Sequence, residues 1–111
     1  MAYDQGLEER IRDYFAAHRT DVELRKMLGG LCFLLSGNMC CGIIGDKLMA
    51  RVGPIKYDEC LAQEYASKMD FTGRSSMKGI VYVHHKGLED DSELDQWLTL
   101  CEEFAGALQP K

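Results

Sequence analysis

The sequence predicts an α+β fold of two layers, an antiparallel sheet of five to six strands with helices packed on one face. Three observations lead there. The stretch from Arg25 to Val52, RKMLGGLCFLLSGNMCCGIIGDKLMARV, is cut into strand-length apolar pieces by Gly29-Gly30, Gly37-Asn38 and Gly45-Asp46. Glycine at such breaks marks hairpins rather than helix. Amphipathic helical stripes stand near the two ends of the chain, and the strands cluster between them instead of alternating with helices.

The elements follow in order. Leu7, Ile11, Tyr14 and Phe15 recur at helical spacing, which predicts a first helix with Asp4 as its N-cap and an end near His18. Thr20-Asp21 turns the chain into strands at about 22–28, 31–36, 39–45 and 47–52. A glycine in the first turn position suits a type II′ hairpin at each break. Gly53-Pro54 stops the last of these strands, because proline cannot donate to the ladder. Tyr57, Leu61 and Tyr65, spaced by four, predict a short second helix over 55–66. Met69 and Phe71 alternate with Lys68 and Asp70 as a half-buried strand. A polar loop, TGRSSMKG (72–79), then leads into the β-branched and aromatic strand GIVYVH (79–84). Lys86-Gly87 turns the chain, and Asp90, Asp91 or Ser92 caps the final helix. That helix carries the clearest periodic signal, with Leu94, Trp97, Leu98, Cys101, Phe104, Ala105 and Leu108 along one face. The order is α-β(3-4)-α-β(2)-α.

At 111 residues the chain holds one hydrophobic core and not two, so residues 1–111 form a single domain. No apolar run approaches the roughly 18 residues that span a bilayer. The opening MAYDQGLEER is acidic and polar, unlike a secretory signal, so a cytoplasmic protein with no membrane partner is expected. The net charge of −5 is unevenly spread. Residues 1–24 carry 3 basic and 6 acidic side chains, residues 87–111 carry 1 and 7, and the middle carries 9 and 5. With so small a basic excess, direct nucleic-acid binding is not expected, since phosphate contacts dominate that affinity.

A search for chemistry yields no catalytic residue, metal ligand or cofactor site. The five cysteines (Cys32, Cys40, Cys41, Cys60, Cys101) lack the paired spacing of zinc ligands and are expected to be reduced packing residues. His84 and His85 are adjacent, which in a strand sends the two rings to opposite faces. The pairs Glu8-Glu9, Asp58-Glu59, Asp90-Asp91 and Glu102-Glu103 diverge around helices and share no proton task. A Cys–His catalytic pair of Cys40 or Cys41 with His84 or His85 lacks an orienting third group. GRSSMKG matches neither a serine elbow nor a phosphate loop.

Arg25 and Arg51 are the charges that most need a reason, since each sits in an otherwise apolar strand. Ion pairs with Asp46 or Asp70 satisfy them. The sharper alternative is a basic patch of Arg25, Lys26, Arg51, Arg74 and Lys78 that binds a protein partner or an anion.

With these motifs in place, the chain resembles the N-terminal domain family of the TfoX/Sxy competence regulators over nearly its whole length. The resemblance rests on RKMLGGLCFLLSGNMCCGIIGDKLMARVGP, on KMDFTGRSSMKGIVYV, and on a tryptophan-bearing C-terminal helix ending FAGALQPK. Leu28 stands where the family commonly has phenylalanine, Ser75-Ser76 where it has what looks like a single proline, and Ile80 where it has a common aromatic. The resemblance implies a fold similar to secretion-chaperone-like domains and a bacterial regulatory role linked to competence and transcription. It also implies action through a protein partner or through self-association as a homodimer, with no catalytic residue to carry over. Full-length regulators of this kind also carry a C-terminal domain that looks helix-hairpin-helix-like, so the expected role is that of the N-terminal domain alone. The alternative function is that of a small-ligand or anion-binding domain using basic residues of the sheet and the 72–79 loop.

Overall fold

In the computed structural model, residues 3–27, 29–68 and 79–110 are described. The fold is α+β, as predicted. Helix α1 (Gln5–Ala17) leads into strands β1 (Glu23–Met27), β2 (Gly30–Leu35), β3 (Asn38–Ile44) and β4 (Lys47–Arg51). Helix α2 (Tyr57–Leu61), strands β5 (Ala66–Lys68) and β6 (Ile80–Val83), a 3-10 turn (His85–Leu88) and helix α3 (Asp91–Gly106) complete it. The six strands form one open sheet in the order β1-β2-β3-β4-β6-β5, with every pairing antiparallel.

The three helices cover one face of this sheet. Leu7, Ile11 and Phe15 of α1 and Leu94, Trp97, Leu98 and Cys101 of α3 share a core with Leu31, Phe33, Ile43, Leu48, Val81 and Val83. These strand residues alternate along their strands, as a sheet buried on one side requires. The other face carries a smaller apolar cluster of Cys32, Met49 and Ile80, flanked by Met39, Ile44 and Tyr82. Asp4 caps α1 as expected, its carboxylate accepting from the backbone N–H groups of Gly6 (2.8 Å) and Leu7 (3.2 Å). Asp90 occupies the N-cap position of α3 but makes no side-chain capping bond. The neighbouring Asp91 instead pairs with Arg10 of α1 at 3.0 Å.

Several expectations need correction. The β2–β3 turn is formed by Ser36 and Gly37, not Gly37 and Asn38. Both turn residues have positive φ (52° and 84°), the type I′ form, and this leaves Asn38 in the strand. Its buried side-chain amide donates to the Gln109 carbonyl at 2.9 Å. The β3–β4 turn at Gly45-Asp46 does carry its glycine first, at φ 59°. Helix α2 spans five residues, shorter than the spacing implied. Tyr57 and Leu61 share one buried face, but Tyr65 leaves the helix with φ 71°, and its carbonyl accepts from the His84 N–H at 2.8 Å. A tertiary hydrogen bond thus overrides the local period. Strand β5 consequently begins at Ala66, while Met69 and Phe71 lie outside the described residues.

Adjacent Cys40 and Cys41 both enter the helix-side core, which strict alternation forbids. The register shift between Phe33 and Leu34 explains this. Phe33 pairs with Cys41 and Leu34 with Met39, so Cys40 is the extra residue of a β-bulge. His84 and His85 follow β6 rather than extending it, and their rings lie 4.3 Å apart instead of on opposite faces.

Candidate functional site

An open sheet ends in strands whose outer backbone groups have no ladder partner, and such edges are where other chains add. Strands β1 and β5 hold these terminal places here. Partners across an antiparallel ladder lie on the same face, so the register assigns each β1 side chain. Leu24 opposite Phe33 and Lys26 opposite Leu31 belong to the helix-covered side. Arg25, opposite Cys32, and Glu23, opposite Leu34, belong to the other side. Leu24 is half-buried against the main core, whereas Glu23, Arg25 and Lys26 are exposed. Arg25 does not reach Asp46; its guanidinium donates to Glu23 on its own strand at 2.8 Å. Asp46 instead faces His85 at 3.7 Å.

The expected basic patch does not assemble among the described residues. Arg25 and Lys26 point to opposite faces of β1. Arg51 lies on β4, three strands away, or about 14 Å at ordinary strand spacing. It is half-buried, with its guanidinium 5.3 Å from the centre of the Phe104 ring and donating to the Met39 carbonyl at 3.2 Å. These contacts tie the end of β4 to α3 and to the start of β3. Arg74 and Lys78 lie outside the described residues.

A polar cluster between α1 and α3 went unnoticed in the sequence. Tyr14 donates its hydroxyl hydrogen to Glu102 Oε1 at 2.9 Å and takes one from Thr99, also at 2.9 Å. Thr20 donates to the second carboxylate oxygen of Glu102. His18 stacks on Tyr14 at 4.0 Å, with Nδ1 3.5 Å from Glu102. Burial, reinforced by the Glu102 carboxylate, pushes the Tyr14 hydroxyl up to about 12. Glu102 of α3 thus takes hydrogen bonds from Tyr14 of α1 and from Thr20 just beyond it, so the cluster clamps the two helices. Tyr14, His18 and Thr20 meet Thr99 and Glu102 across more than 80 residues of sequence, and no local spacing links the two sets.

The five cysteines are unpaired and buried, as expected of packing residues. A hydrogen bond made with Cys40 by its neutral S–H, together with burial, raises Cys41 well above the ordinary thiol range, and burial does the same for Cys101. Such thiols are poor nucleophiles. Among the described residues, no group of three or more His, Cys, Asp or Glu side chains is placed to hold a metal ion. Two concavities are open to solvent. One of about 230 Å³, lined by Asp4, Arg10, Asp46 and His85, mixes both signs of charge. Another of about 400 Å³ lies beside β5, between Tyr65, Ser67, His84 and Lys86. No helix among the described residues is long and apolar enough to cross a membrane.

Comparison with known proteins returns one family model, TfoX N-terminal domain, matching residues 13–105. No curated protein and no solved structure matches the chain.

Proposed function

Because the chain belongs to the TfoX N-terminal domain family, we propose that it is a non-enzymatic binding and regulatory domain, acting through contacts with a protein partner or a second copy of itself. The observation that carries this reading is the open sheet. One face is given over to the helix-packed core, and among the described residues β1 and β5 pair on a single side only. A strand edge offers a row of backbone donors and acceptors for an added segment, with flanking side chains supplying selectivity. The deeply buried, high-pKa thiols and the internally satisfied Tyr14–Glu102 cluster support a binding role over a catalytic one. Roles in transcription and competence, and a cytoplasmic location, belong to the same proposal.

Affinity capture with the tagged full chain from its native cells, read by mass spectrometry, is the test. The proposal expects a protein whose binding is reproduced with purified components, or the untagged chain itself. Failure to recover either, together with turnover of a small molecule by the purified protein, overturns it.

A further inference from the structure

The β1 edge is complementary to itself, and we infer that two copies of this chain associate by antiparallel pairing of their β1 strands about a two-fold axis at Leu24, joining their sheets into one. The inference rests on the binding-module reading above and names the occupant of one edge.

Continuing a sheet across a two-fold axis requires residues opposite one another to share a face, so the axis must pass at a residue and not between two. Each candidate residue gives a different set of neighbours. An axis at Arg25 sets Arg25 against its own copy. An axis at Glu23 does the same for Glu23, and one at Lys26 for Lys26. Like charges directly opposite are destabilising.

An axis at Leu24 avoids all three and, unlike one at the strand-end residue Met27, keeps more than one residue of β1 paired. It sets Glu23 opposite Arg25 of the second copy and Arg25 opposite Glu23. In the single chain these two side chains lie on one face, 2.8 Å apart, and are 61% and 58% exposed. Dimerisation thereby closes a square of alternating charge, in which each carboxylate meets two guanidinium groups. On the helix side, Leu24 meets its own copy and Lys26 lies opposite Val22. Leu24 and Val22 are both partly buried against the main core, so the apolar contact extends that core across the axis. The lysine stem covers Val22 while its ammonium group stays in water.

The paired edges are short, with five residues in β1, and the contact falls below the area of a standard stable interface. The dimer is therefore weak and dependent on concentration. Sedimentation velocity of the full chain, from about 10 µM to about 1 mM, spans the range expected for small interfaces. The expected result is a dimer fraction that rises with concentration. Glu23→Arg and Arg25→Glu should each weaken association about tenfold or more, because each turns two attractive pairs repulsive. The double variant, Glu23→Arg with Arg25→Glu, should restore it. Both positions are exposed, and circular dichroism checks that each variant is folded. A wild-type chain that is monomeric throughout overturns the inference, while the broader reading stands or falls on partner capture. A dimer unaffected by the single changes, or not recovered by the double change, overturns it equally.

Discussion

The Tyr14 hydroxyl of α1 donates to the Glu102 carboxylate of α3 at 2.9 Å, and this bond links the first and last helices of the chain. The two residues clamp helices that pack on the same face of the sheet. Tyr14 is buried, so its ionisation is disfavoured in the folded state.

The clamp has a pH signature. The folded-state value of about 12 lies above the unfolded value of 10.0, so the native state holds the proton more tightly. The stabilisation is fully present below the unfolded value and is lost as pH rises from about 10 to about 12. Urea unfolding across that window should show stability falling in the wild type. In Tyr14→Phe the fall should be shallower, from a lower starting stability. Equal slopes would refute the clamp's role.

Ser36 holds a positive φ of 52° in the β2–β3 turn, a conformation costly for most side chains. Asparagine and glycine tolerate it better, and Asn-Gly is the favoured pair for a type I′ turn. Ser36→Asn should therefore stabilise the protein by about 0.5 kcal/mol. Thermal unfolding should show a higher midpoint with the fold unchanged.

Arg51 is assigned a structural task by its contacts with Phe104 and the Met39 carbonyl. Arg51→Ala should cost about 1–2 kcal/mol of stability. A double-mutant cycle with Phe104→Ala should give a coupling of about 0.5–1 kcal/mol. Zero coupling would mean that the stacking contributes nothing.

The buried thiols should be silent in the native protein. Ellman's reagent should modify few or none of the five cysteines under native conditions and all five in denaturant. Rapid native reaction at Cys40 or Cys41 would show that the core around the bulge opens readily.

Much of the fold was legible because its signals are local. The Asp4 cap, the stripes of α1 and α3, and the strand-length pieces between glycines each depend on residues within a few positions of one another, and each stands where it was expected. The candidate patch was less legible. The sequence places Arg25 and Arg51 both within strands, but whether they meet depends on strand order. Two strands, β2 and β3, lie between them.

The sequence by itself determined which segments become helix or strand and which faces are apolar, because backbone preference and side-chain period act over one or two turns of chain. Tertiary structure alone decided the bulge that sends Cys40 and Cys41 into one core, the early end of α2 at Leu61, and the pairing of Tyr14 with Glu102. These depend on which distant segments become neighbours, and a contact between residues far apart in the chain leaves no mark on the spacing around either one.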